Sequence, residues 1–152
     1  MAGLYAAPLQ MALVAAAVAN DGVMMAPHVM REIRDGEGAV VDDEPVDAWK
    51  TPISPEVAST MRQAMYGVVQ GGTLTGVAEI PGFDVGGKTG TAQTGNGTNN
   101  TWVIEFVGPP GQKPEYAIAV IVENQGADET GGGVAGPIAR AVLEQVLQDP
   151  AG

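Results

Sequence analysis

The chain has 152 residues and no cysteine, with 18 acidic against 7 basic side chains and a formal charge of −11. That length suits one domain, able to bury about two-thirds of its surface; the acidic balance argues against nucleic-acid binding, which depends on lysine and arginine against phosphate. The absence of cysteine excludes disulfides and thiolate metal sites, and 45% hydrophobic content with 5% aromatic points to an aliphatic, alanine-rich core.

Pro8 and Gly22, the latter just beyond Asn20-Asp21, bracket a first helix. It is apolar nearly all round (Leu9, Met11, Leu13, Val14, Val18), which predicts burial. The longest apolar run, residues 11–19, is too short to span a bilayer, and no basic segment precedes it as in a signal peptide. Residues 23–41, broken by Pro27, Gly36 and Gly38, read as short strands or a hairpin. His28, the only histidine, has no acidic or serine partner at a telling spacing and reads as structural. The acidic cluster Asp42, Asp43, Glu44 and Asp47 reads as a solvated loop.

Ser54-Pro55-Glu56 supplies an N-cap, a first-turn proline and an acid suited to the helix dipole. Val57, Met61, Ala64, Met65 and Val68 then share one helical face, predicted to pack inward, until Gly71-Gly72 ends the helix. Three strands follow, near 83–92, 101–107 and 115–123, joined by turns short enough for an antiparallel meander. The third is apolar on both faces and so predicts a central strand. Pro137 starts a closing helix with Ile138, Ala141, Val142 and Val146 inward. Helix, strands and helix in that order read as α+β. Asn96-Gly97-Thr98 and Asn99-Asn100-Thr101 match the N-glycosylation pattern, which turn composition alone accounts for.

One stretch concentrates the chemistry. Lys88-Thr89-Gly90-Thr91-Ala92-Gln93 contains Lys-Thr-Gly, one of three signature elements of penicillin-binding proteins and serine β-lactamases. Its flanks carry more: Pro8-Leu9-Gln10-Met11-Ala12 with Ala19-Asn20-Asp21-Gly22, then Gly71-Gly72-Thr73, Gly86-Gly87 before the lysine, Trp102, and Gly132-Gly133-Val134-Ala135-Gly136-Pro137. Together they resemble, in order, the C-terminal half of the transpeptidase domain of class B penicillin-binding proteins. Trp102-Val103-Ile104-Glu105-Phe106 departs from the pattern, which has Trp-Phe and a small residue there. The Ser-x-x-Lys nucleophile and Ser-x-Asn are absent: the two serines, Ser54 and Ser59, have no lysine or asparagine at the needed offset.

The resemblance implies an antiparallel sheet covered by helices on both faces, as a partial penicillin-binding-protein or serine β-lactamase-like domain over residues 1–152. It implies a parent that cross-links peptidoglycan stem peptides of the D-Ala-D-Ala type by acyl transfer through a serine, and that β-lactams acylate. Lys88 would raise the positive potential of the groove and help proton traffic. Thr89 and Thr91 would hydrogen-bond the substrate carboxylate, the Thr91 N–H would form half an oxyanion hole, Gly90 would let substrate lie along the strand, and Gln93 would be a further substrate contact. Trp102 would be a wall of the site. No cofactor and no metal is implied. The parent would act at the extracytoplasmic face of the bacterial membrane, anchored by a segment upstream of this sequence, so Met1 would not be its native start; other cell-wall synthesis proteins are partners on the same ground. The chain alone would be inactive.

Strict alternation sets Lys88 on the opposite strand face from Thr89 and Thr91. One groove can use all three only if the strand is at a sheet edge. Two alternatives remain at this point. A non-catalytic cell-wall interaction module would dock through the apolar first helix. A nucleotide binder is suggested by Gly82 to Thr89, which fits G-x-x-x-x-G-K-[ST]. That motif needs a helix starting at the lysine, and Gly90, Gly95 and Gly97 predict none.

Overall fold

A computed structural model describes residues 5–148, and Met1 lies outside the described residues. Helix α1 (Pro8–Ala19) opens on the proline and on an Ala7 N–H donating to Gln10 Oε1 at 2.8 Å. It ends where Asp21 and Gly22 turn to positive φ. Strands β1 (Met24–Met25), β2 (Glu32–Arg34), β3 (Val40–Asp43) and β4 (Ala48–Lys50) then form two small antiparallel pairs, β1 with β4 and β2 with β3. The acidic cluster is exposed, as predicted, and so is His28, which therefore has no packing role. Helix α2 (Pro55–Gly71) starts where Ser54 Oγ accepts the Val57 N–H at 3.4 Å.

Strands β5 (Asp84–Gln93), β6 (Asn99–Gly108) and β7 (Tyr116–Gln125) form an antiparallel meander in the order β5-β6-β7. A π-helical turn (Gly131–Ala135) leads into α3 (Gly136–Gln148). Helix α1 covers one sheet face, where Val18 and Ala19 meet Phe106, with Ile104 and Ala117 alongside. Helix α3 covers the other, where Ala139 and Leu143 meet Val103 and Val107, with Ile118 and Val120 alongside. Helix α2 runs beside β5 and feeds Met65 into the first core and Val69 into the second. This is the predicted α+β architecture, with helices on both sheet faces.

Four finer expectations do not hold. Strand β7 is at the edge and β6 is central; both faces of β7 are apolar because α1 and α3 pack on it from opposite sides, not because strands flank it. On α2 the inward stripe is Ala58, Met65 and Val69, with Arg62 half-buried among them, while Val57 and Met61 are exposed. The stripe is displaced by one residue because Arg62, polar in any pattern count, reaches inward to donate to the Val18 carbonyl at 2.9 Å and to pair with Asp21 at 2.7 Å. On α3 the inward residues are Gly136, Ala139 and Leu143, leaving Ile138, Ala141 and Val142 exposed. The start of the helix sets which face turns inward, because Gly136 packs closely on the segment after α2: a Cβ there would come 2.7 Å from Val77 Cγ1 and 3.4 Å from Leu74 Cδ2. Finally, α1 is not buried all round, since Leu9 and Val14 face outward.

Candidate functional site

The residues 84–93 make a poor strand by propensity, with three glycines among ten. Their pairing is imposed by β6 and by what packs on them. Val85, Gly86 and Gly87 are buried, whereas residues 88–93 are exposed or half-exposed. The glycines mark close approach. A Cβ on Gly86 would lie 2.4 Å from Phe106 Cζ, and one on Gly87 would lie 2.6 Å from Leu74 Cδ1 and 2.9 Å from Glu105 Cγ. The strand is thus clamped in its first half and open in its second, along an edge that no other strand occupies among the described residues.

On the α1 face of that open half, Lys88 pairs with Ile104 and Gly90 with Trp102. With Ala6, Met11 and Thr89 these residues line a mostly apolar cleft of about 250 Å³. Lys88 is the one cation among the lining residues, and its Nζ donates to the Thr89 carbonyl at 2.6 Å. Residues two apart in an antiparallel strand direct their backbone groups to the same side, so the Thr91 N–H points the way the Thr89 carbonyl does. The Thr91 side chain is exposed. Trp102 is half-buried and forms part of the cleft wall. Gln93 is not brought to this cleft: it ends β5, exposed, opposite Asn99.

Three features escaped sequence reasoning. Thr73, just past α2, places its Oγ1 2.9 Å from Thr89 Oγ1. Its only signal was membership of Gly71-Gly72-Thr73. The π-helical turn presses on the sheet face opposite the cleft: a Cβ on Gly131 would meet the Trp102 carbonyl oxygen at 2.1 Å and the Gly90 oxygen at 2.7 Å. Glu105 is fully buried on that same face, and neither carboxylate oxygen has a hydrogen-bond partner among the described residues. Burial pushes its carboxyl up to about 8. Asn99 is also buried, its Nδ2 donating to the Ala127 carbonyl at 2.7 Å and the Glu129 carbonyl at 3.2 Å. An amide so engaged is no glycan acceptor.

A larger cleft, about 430 Å³, lies between α2 and the β6–β7 turn. Its charged groups are engaged within the protein: Arg62 with Asp21, Asp84 with the Gly111 N–H, and Glu79 with the Gly76 N–H. The nucleotide-binding alternative fails on geometry. Lys88 and Thr89 are in mid-strand, with no helix N-terminus to hold phosphates.

The family model for the penicillin binding protein transpeptidase domain matches residues 2–144. The peptidoglycan D,D-transpeptidase PbpA of Mycolicibacterium smegmatis is 36% identical over 148 residues, covering 93% of this chain and 29% of that protein. Its namesake from Mycobacterium tuberculosis is 37% identical with the same coverage. Among solved structures, penicillin-binding protein A from M. tuberculosis as a penicillin G acyl-enzyme complex superposes with a TM-score of 0.82 at 33% identity, covering 97% of this chain and 33% of that one. The D,D-transpeptidase domain of a peptidoglycan glycosyltransferase from Eggerthella lenta gives 0.81 at 34% identity, covering 94% and 32%. The chain therefore spans less than a third of the length of these relatives.

Proposed function

The chain belongs to the penicillin-binding protein transpeptidase family, and from that premise we propose that it is the C-terminal portion of a serine D,D-transpeptidase domain. The parent cross-links peptidoglycan stem peptides at the outer face of the bacterial membrane, through an acyl-serine intermediate that β-lactams also form. What carries this reading is the placement of residues 88–91 on the free half of an edge strand, beside a cleft whose lining includes the Lys88 ammonium group. The relative solved as a penicillin G acyl-enzyme supports the β-lactam part.

Each residue has a task in that reaction. Lys88 brings positive potential to a groove with apolar walls, where a charge acts more strongly than in water. A substrate backbone lies along the open edge by Gly90, where a side chain would crowd it. The Thr89 and Thr91 hydroxyls bind the terminal carboxylate, and the Thr91 N–H donates to the developing oxyanion. Trp102 walls the groove. Gln93, outside the cleft lining, contacts only a longer substrate. The serine that attacks, and its base, come from polypeptide outside residues 1–152, so this chain alone does not turn over substrate.

The test labels membranes of the source cell with a fluorescent penicillin and probes the same gel with an antibody to this chain. A labelled band several times larger than 15.5 kDa is the expected result. The exposed apolar residues on all three helices (Leu9, Met61 and Ile138 among them) favour a second reading, a non-catalytic module that docks on another cell-wall protein. An unlabelled band near 15.5 kDa would replace the first reading with the second.

A further inference from the structure

Thr73 is held in place on both sides. Its neighbour Leu74 is fully buried against Gly87 and Gly136, and the Leu74 N–H donates to the Val68 carbonyl at 3.2 Å. The Leu74 carbonyl in turn accepts from the N–H groups of Val77 and Ala78. From the other side comes the glycine turn: a Cβ on Gly132 would lie 2.5 Å from the Thr73 carbonyl oxygen and 3.6 Å from Thr89 Cγ2. The Thr73 hydroxyl, at the surface, thus has a fixed backbone and, among the described residues, one partner, Thr89 Oγ1 at 2.9 Å.

We propose that Thr73 is a positioning residue that orients the Thr89 hydroxyl toward the carboxylate of an acyl donor. This rests on the function proposed above. Two hydroxyls in contact use one of their two protons between them, and either can donate. A carboxylate accepts only, so when it takes the Thr89 proton, Thr89 Oγ1 is left as acceptor and Thr73 must be the donor. The hydrogen bonds then run in series from Thr73 to Thr89 to the anion, each polarising the next. Without Thr73, the Thr89 hydroxyl still donates but loses that polarisation and turns among its rotamers. Lys88, bonded to the carbonyl of the same residue, fixes the backbone of Thr89 and cannot replace a partner on its side chain.

The experiment uses the native polypeptide that contains these residues, with penicillin G and its methyl ester as probes. Stopped-flow acylation separates the half-saturation concentration from the limiting rate. Thr73→Val should raise half-saturation by penicillin G about three- to fivefold, less than one whole hydrogen bond's share because Thr89 still donates, with the limiting rate changed less than about twofold. The ester, lacking the anion, should show less than about a twofold change in either constant, and Thr73→Ser should restore parental values for penicillin G. In the 152-residue chain the Thr73→Val melting midpoint should stay within about 4 °C of the parent, which separates the effect from unfolding. Equal losses on acid and ester, no loss on either, or failure of Thr73→Ser to restore binding would overturn the role of Thr73 while leaving the transpeptidase intact. No acylation of the parental polypeptide would overturn both.

Discussion

Glu105→Gln should remove most of this chain's loss of stability between mildly acid and mildly alkaline pH. The carboxyl is fully buried on β6, packed against the strand that carries Lys88, with no partner for either oxygen. Burial raises it from its ordinary 4.5 to about 8, because ionisation in an apolar core is costly. The folded state therefore holds a proton that the unfolded state has released. The stabilising contribution is complete below about pH 4.5 and is lost as pH rises to about 8. About three and a half pH units at roughly 1.4 kcal/mol each comes to about 5 kcal/mol, a ceiling because relaxation and water entry ease the ionised state. Glutamine keeps the shape and an unpaired polar head but cannot ionise. Urea unfolding by circular dichroism at pH 5, 6, 7 and 8 reads the effect directly. Parent and variant should be similar at pH 5, and the variant should gain steadily until, near pH 8, it is several kcal/mol the more stable, within that roughly 5 kcal/mol limit. Comparing the two chains cancels the other titrations of a protein with formal charge −11. Parallel curves from pH 5 to 8 would refute the assignment of a protonated, unpartnered Glu105.

Two further perturbations test the frame around the site. Gly131→Ala places a Cβ against the Trp102 and Gly90 carbonyl oxygens, which are backbone and cannot swing away; a loss of about 3 kcal/mol or more in urea unfolding is expected. Arg62→Ala strips a donor from the Val18 carbonyl and a partner from Asp21, and should cost about 2 kcal/mol near neutral pH. Hydrogen bonds from Lys113 and Arg62 hold the Asp21 carboxyl below its ordinary 3.8. The stability this adds is present above about pH 4 and lost as pH falls through the lowered value, so the Asp21 share of the Arg62→Ala deficit should vanish in strong acid.

Much of the frame was legible because it depends on neighbours in the chain. Pro8 and Gly22 bracket α1, Ser54-Pro55-Glu56 starts α2, and turn residues separate three strands whose ends moved by only a few residues. Local signals failed where a long-range contact set the answer. The α2 stripe was displaced because Arg62 reaches a carbonyl 44 residues away. The inward face of α3 was missed because the close fit of Gly136 against Val77 and Leu74 turns Ala139 and Leu143 inward and leaves Ile138, Ala141 and Val142 exposed.

The sequence by itself determined that residues 88–91 lie on a strand, that no Ser-x-x-Lys accompanies them, and which family the landmarks resemble. These follow from residue order, turn chemistry and backbone propensity, which act over a few residues. The tertiary structure alone decided that β5 is an edge strand with one half open. It also decided that Thr73 meets Thr89 across 16 residues and that a charged-looking Glu105 is sealed inside the sheet. Periodicity says which side chains are apolar; only the packing of distant segments decides which face is covered and which hydroxyls touch.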